Sequence, residues 1–189
     1  YNTEYIKMCK DPFSIKALKF WSKTKIKCDP FLLKTMKRKI KRLLDIHHEV
    51  ADLEKDMETL LDVGGYTIQT ASGCGLVLAS TMVGEIGDIN RFTSPGALAK
   101  YAGCSPRECS SGKKIRHRKS RSGNRRLNCA FYRMALSQIS RMGNEKARQY
   151  FKRKISEGKS KSQALVCLRR QMVNIVWMMM KHKTVYRNA

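Results

Sequence analysis

The sequence is short of acid. Its 189 residues hold 15 Asp and Glu against 39 Lys and Arg, a formal net charge of +24. From residue 63 to the end the only acids are Glu85, Asp88, Glu108, Glu145 and Glu157. Mg²⁺ prefers a cluster of hard carboxylate oxygens. Glu85 and Asp88 would share a helical face at i, i+3, but the others are scattered, so no metal site is expected in this part of the chain. Cysteine pairing is missing too. The seven cysteines are odd in number and irregular in spacing, with no CxxC pair, which points to a reducing compartment and thiols used as small apolar residues. Cys104, Cys109 and His117 lack a fourth zinc ligand at finger spacing. Nor is there a long apolar run: the stretch Val173 to Met180 is interrupted by Asn174 and is too short to span a bilayer. No signal peptide opens the chain. These absences predict a soluble, intracellular protein, and a first residue that is Tyr rather than Met suggests a piece of something longer.

What is present is a concentrated positive charge and enough apolar residue, 42 %, for a packed core. Residues 1 to 62 carry 14 basic and 10 acidic side chains, residues 63 to 105 carry 2 of each, and residues 106 to 189 carry 23 and 3. The densest part, Lys113 to Arg126, has eight basic residues and no acid: Lys113, Lys114, Arg116, Arg118, Lys119, Arg121, Arg125 and Arg126. An uncompensated excess of this kind repels itself and calls for a polyanion. DNA and RNA fit better than an anionic lipid surface, because the cluster does not lie on an amphipathic helix with bulky aromatics.

The pattern of caps and periods predicts an all-α fold. Asp11-Pro12, Asp29-Pro30 and Ser94-Pro95 read as helix starts, with a capping side chain followed by proline at the first helical position. Positions 36, 40, 43, 47, 50, 54, 57 and 61 follow the 4,3 spacing of a coiled-coil seam and are Met, Ile, Leu, His, Val, Glu, Met and Leu. Residues 30 to 62 are therefore expected to form one long helix, pairing with a second copy or folding back on its own chain. From Gly64 to Gly87 the chain is nearly uncharged, with two short helical segments around Ser72-Gly73-Cys74-Gly75, the pattern of a helix-hairpin-helix. There Gly73 and Gly75 would let backbone N–H groups approach a phosphate; a plain tight turn between helices is the other reading. Residues 102 to 123 read as a long loop or ribbon. Three helices are expected after it: about 124 to 142, closed by Gly143, then 145 to 157, then 162 to 181.

Ser105, Ser110, Ser111, Ser120, Ser122, Cys104 and Cys109 are the nucleophile candidates of the basic loop. A serine hydroxyl needs a base or a cationic setting to act. Ser111 is distinguished by Gly112, which permits close backbone approach, and by Lys113, Lys114 and Arg116, which could hold a phosphate. Serines in such loops also simply donate hydrogen bonds to phosphate.

At these residues a resemblance emerges. The ordered runs Gly84-Glu85-Ile86-Gly87-Asp88-Ile89-Asn90-Arg91-Phe92, Leu98-Ala99-Lys100-Tyr101-Ala102-Gly103 with Pro106, Ser110-Ser111-Gly112, and Ser120-Arg121-Ser122-Gly123-Asn124 before an Arg-rich helix resemble the C-terminal domain of the bacterial DEDD transposases. This is the family named after insertion sequences 110, 116 and 902, and the resemblance covers about residues 64 to 140. It implies a recombinase whose N-terminal RNase-H-like domain binds Mg²⁺ through acidic residues. It also implies that a serine of the C-terminal domain becomes covalently joined to DNA, that a structured guide (bridge) RNA chooses the sites, and that the acidic domain of one subunit works with the serine of another. By position in the Ser-Gly motif that serine is Ser111. The resemblance further implies a bacterial cytoplasmic, nucleoid-associated setting.

The expected organisation is a linker or tail over residues 1 to 29, a coiled-coil helix over 30 to 62, and a C-terminal transposase domain over 63 to 189. Within that domain the helix-hairpin-helix spans 64 to 87, the catalytic basic loop 102 to 123, and the last helices 124 to 182. Nothing before residue 30 offers the acidic tetrad, so this chain alone is not expected to cut DNA. A homo-oligomer held by the coiled coil is expected, with Gly73, Gly75, Gly112 and the eight basic residues against DNA or guide RNA and no cofactor held by the chain itself. The rival from another class is a non-catalytic helix-hairpin-helix module that binds DNA or RNA.

Overall fold

The computed structural model describes residues 11–25, 28–111, 114–119 and 122–186, with only the backbone described from 106 to 119. The chain divides into two units, one ending at Asp56 and the other beginning at Met57.

The first unit holds α1, Ile15–Lys23, and most of α2, Pro30–Val63. Asp29 caps α2 as expected, its carboxylate accepting from the Leu32 N–H at 3.0 Å. Asp11-Pro12 does not start α1. Asp11 instead accepts from the Phe13 N–H at 2.9 Å in a local turn, and Ser14 becomes the cap by accepting from Ala17. A short Asp side chain satisfies either a turn or a helix start, and here the turn wins. Ala17, Leu18 and Ile40 are buried in this unit. Along α2, Ile40 and Leu61 of the expected seam are buried and Met36, Leu43, His47 and Met57 are half-buried, whereas Val50 and Glu54 are exposed. The exposed apolar row passes through Ile46, Val50 and Leu53, which keeps the 4,3 spacing on a face one residue round from His47 and Glu54.

In the second unit, a 3-10 turn, Ile68–Thr70, precedes α3, Leu76–Ile86; a second, Ile89–Arg91, precedes α4, Pro95–Tyr101. The strands β1, Pro106–Ser111, and β2, Lys114–Lys119, pair antiparallel. Then come α5, Arg125–Ile139, α6, Glu145–Ser156, and α7, Lys161–His182. The fold is all-α in its packing, and the segment read as a loop or ribbon is a two-stranded hairpin. Its alternating cations resist helix packing because they offer no apolar stripe.

α7 lies against α4, α5 and α6 and buries Leu168, Met172, Val173, Val176, Met179 and Met180. Facing it, α5 buries Leu127, Ala130, Phe131, Met134, Ala135 and Gln138, a 3,4 spacing that gives one continuous apolar side. The methionines of α7 are therefore core, filling irregular gaps between three neighbours. Caps fix the ends. Ser94 accepts from the Ala97 N–H ahead of Pro95, Asn144 from Lys146 and Ala147, and Ser160 forms a capping box with Gln163, starting α7 one residue earlier than expected. Each such cap contributes about 1 kcal/mol. α5 stops at Ile139, short of Gly143, because Arg148 donates to the carbonyl oxygens of Ser140 and Arg141 at 2.8 and 2.9 Å. The guanidinium replaces the helical partners those carbonyls would have needed.

The expected first helix of the helix-hairpin-helix is only the 3-10 turn Ile68–Thr70. One position in α3 has no packing reason: Gly84 is helical and exposed, and a Cβ there would meet nothing within 4 Å. A glycine inside a helix costs about 1 kcal/mol relative to alanine.

Candidate nucleic-acid interface and nucleophile

The hairpin register pairs Ser111 with Lys114, Ser110 with Ile115, Cys109 with Arg116, Glu108 with His117, Arg107 with Arg118 and Pro106 with Lys119. In a strand pair every second register pair belongs to the same face. Ser111 therefore belongs with Lys114, Cys109, Arg116, Arg107 and Arg118. Glu108, the hairpin's sole acid, falls in the other set. Gly112, Lys113 and Arg121 lie outside the described residues.

Both ends of the hairpin are tied to the helical body at one point. Gly103 has φ +64° and Gly123 φ +108°. A Cβ on Gly123 would lie 2.7 Å from both the Gly103 nitrogen and the Tyr101 carbonyl oxygen. The strands' flanks thus touch backbone to backbone, and the Asn124 N–H donates to the Tyr101 carbonyl at 2.8 Å. Asn128 closes the same joint. Its amide nitrogen donates to the carbonyls of Ala102 and Gly103 at 2.8 and 2.9 Å, while its oxygen accepts from Arg169 at 3.0 Å.

Glu85 belongs to this joint and not to a metal pair. Its carboxylate accepts from the Asn124 amide at 2.5 Å and from Arg126 at 3.4 Å, and its backbone carbonyl accepts from Arg91 at 3.3 Å. Asp88 faces elsewhere, accepting from the Asn90 backbone and side chain. Among the described residues no group of three or more His, Cys, Asp or Glu could hold a metal ion. The Arg91 guanidinium lies 4.6 Å from the ring centres of both Phe92 and Tyr101. Hydrogen bonds from Asn124, then from Arg91, hold the Tyr101 hydroxyl below its usual pKa, because both donors favour the phenolate.

Arg125 and Arg126 open α5, whose first turn contains no acid. Cations at a helix start oppose the macrodipole by about 0.3–1 kcal/mol each. The Arg126 side chain is 84 % exposed despite its contact with Glu85. The Ser72–Gly75 turn is docked on the far half of α5. Gln138 donates to the Ser72 carbonyl, and Gly73, at φ +74°, sits where a Cβ would press on Ser137. Packing accounts for Gly73. Gly75 is the N-cap of α3, brings no side-chain cap and has open space where a Cβ would be.

Two of the cysteines are set aside. Burial pushes the Cys74 thiol up to about 12 and the Cys104 thiol upward as well. A thiol held protonated is a poor nucleophile, so Cys104 leaves the list of candidates. Sequence reasoning missed Tyr101, Asn128 and Gln138 as structural ties. Asn128 and Gln138 carry polar groups on the half of α5 that turns inward, which is the signal that could have found them.

No helix among the described residues is long and apolar enough to cross a membrane. Residues 65–152 match the family model described as Transposase IS116/IS110/IS902 family. Among curated proteins, the chain is 32 % identical over 164 residues to the insertion element IS116 uncharacterized 44.8 kDa protein of Streptomyces clavuligerus, covering 81 % of this chain and 40 % of that protein. It is 29 % identical over 149 residues to the insertion element IS110 uncharacterized 43.6 kDa protein of Streptomyces coelicolor, covering 77 % and 36 %. It is 33 % identical over 124 residues to the insertion element IS900 uncharacterized 42 kDa protein of Mycobacterium paratuberculosis, covering 65 % and 31 %. The chain thus spans well under half the length of these relatives, and it belongs to the IS116/IS110/IS902 transposase family.

Proposed function

We propose that this chain is the serine-bearing portion of an RNA-guided insertion-sequence transposase, in which Ser111 attacks the DNA backbone. One observation carries the reading: the register groups Ser111 with four cations, Arg107, Lys114, Arg116 and Arg118, and leaves the only hairpin acid in the opposite set. Cations around the serine lower the cost of the alkoxide and neutralise the charge that builds on phosphate. In the step, the serine oxygen forms a bond to phosphorus as the bond to one deoxyribose oxygen breaks. The serine proton passes to solvent or a base, and the departing oxygen is protonated to a hydroxyl. Attack by a new hydroxyl on the phosphoserine reverses the step and joins strands.

Gly112, Lys113, Lys114, Arg116, Arg118, Lys119, Arg121, Arg125 and Arg126 are assigned to DNA or guide-RNA phosphates in this proposal, and Gly75 to a phosphate at the uncapped start of α3. The engaged carboxylates of Glu85 and Asp88 do not suit a metal. Mg²⁺ is therefore assigned to the RNase-H-like acidic domain of the same or another subunit. The exposed row Ile46, Val50 and Leu53 supports pairing of α2 with a second copy.

The test joins the chain to the acidic domain with guide RNA, Mg²⁺ and element-end DNA, digests the products and maps the nucleotide adduct. The adduct is expected on the serine at 111, and an adduct on any other residue, or none, overturns the reading. Binding should also depend steeply on salt. If about six phosphates are neutralised, log K falls with log salt at a slope of roughly −5, about 10³-fold between 50 and 200 mM. A slope near −1 in a fluorescence anisotropy titration would remove the hairpin from the contact surface.

A further inference from the structure

Between α3 and α5 lies an open groove of about 480 Å³. That is within the roughly 300–1,000 Å³ common for small-ligand sites. Leu78 and Ala130 line it with apolar surface, and Arg126 and Arg133 stand at it about two turns apart on α5. Resting on the reading above, we propose that this groove seats one nucleotide of an unpaired DNA strand.

Three observations point there. Charge is the first: Arg133 is exposed, and Glu85, the one acid lining the groove among the described residues, is already held by Asn124 and Arg126. The second is Gly84, which lines the groove and whose bare backbone the packing does not require. A side chain there would project into open space, so its absence keeps the groove clear for something that approaches the helix closely. The third is the Ser80 hydroxyl, a buried groove-lining atom with no hydrogen-bond partner. A buried polar atom of that kind is satisfied when a ligand supplies its partner.

An unpaired strand suits this set better than a duplex. A duplex keeps its base faces stacked inside and would offer the rim arginines phosphate while leaving the apolar floor bare. A free nucleotide brings a flat apolar face and a phosphate together, and guanidinium groups both stack on bases and pair with phosphate.

Cys129 supplies the test, because it lines the groove and its side chain is exposed, while Cys28 is exposed in the other unit and serves as the internal control. The full chain is alkylated with iodoacetamide alone and with saturating oligothymidine, with a duplex of equal length and with oligouridine, occupancy being followed by anisotropy. Oligothymidine is expected to slow Cys129 by about tenfold or more while Cys28 keeps its rate, with less protection from the duplex and the RNA. Unchanged Cys129 reactivity with DNA demonstrably bound overturns the groove while leaving DNA binding intact. Equal protection by the duplex, or better protection by the RNA, overturns the assigned occupant. No DNA binding at low salt defeats the functional reading and the groove with it. Gly84→Glu gives an independent check, since its Cβ meets nothing and the fold tolerates it. It should weaken oligothymidine binding about tenfold with circular dichroism unchanged and a thermal midpoint no lower than the parent's, and wild-type affinity in that variant overturns the proposal.

Discussion

Ser111→Ala is expected to abolish covalent DNA capture by the assembled transposase, by at least about 10³-fold, while leaving DNA affinity and thermal stability near those of the parent. The asymmetry follows from what the substitution removes. Strand pairing at residue 111 uses backbone groups shared with Lys114, and alanine keeps them. Only the hydroxyl oxygen goes, and with it the atom proposed to bond to phosphorus. Ser110→Ala is the matched control, because its register partner is Ile115 and not a cation. That variant should capture DNA normally. Denaturing gels of protein–DNA adducts read both outcomes. Capture that survives Ser111→Ala and disappears with Ser110→Ala would transfer the nucleophile to the neighbouring residue.

Gly123→Val should cost about 2–4 kcal/mol of stability and lower the thermal midpoint followed at 222 nm. Two effects add at this position. The backbone at φ +108° disfavours any side chain, and a Cβ would be 2.7 Å from two backbone atoms, the Gly103 nitrogen and the Tyr101 oxygen, which cannot swing aside as a flexible side chain can. Gly87→Ala separates the effects. That glycine has φ +60° but open space around it, so alanine there should cost only backbone strain, about 1–2 kcal/mol. Equal losses in the two variants would mean that close approach at the hairpin joint contributes nothing.

The helical body was largely readable because its signals are local. Asp29, Ser94, Asn144 and Gly158 mark helix ends through side-chain oxygens or backbone freedom within a few residues, and the apolar side of α7 repeats at helical spacing. The errors arose where a distant group intervened. Nothing near residue 140 announces that Arg148 will take over the carbonyls that end α5. Nothing near His47 announces that its ring meets the Phe13 carbonyl at 3.3 Å, on a segment far earlier in the chain. Ser72-Gly73-Cys74-Gly75 has the composition of a phosphate-binding hairpin, but Gly73 is explained by Ser137, some sixty residues later. In the candidate site, the basic cluster and Ser111 were visible as composition and motif. The pairing that puts Ser111 with cations and apart from Glu108 was not, because a two-residue period among polar side chains has no apolar partner to reveal it.

The backbone contact between Gly103 and Gly123 has a consequence for how such a chain can vary. Cys104 is buried in the body, and the chain re-enters it at Asn124, whose N–H meets Tyr101. The described strands β1 and β2 thus leave and return through one doorway. Lengthening such an excursion twofold costs only about 0.6 kcal/mol of closure entropy. The arm proposed to meet nucleic acid can therefore be lengthened while α4, α5 and α7 keep their packing.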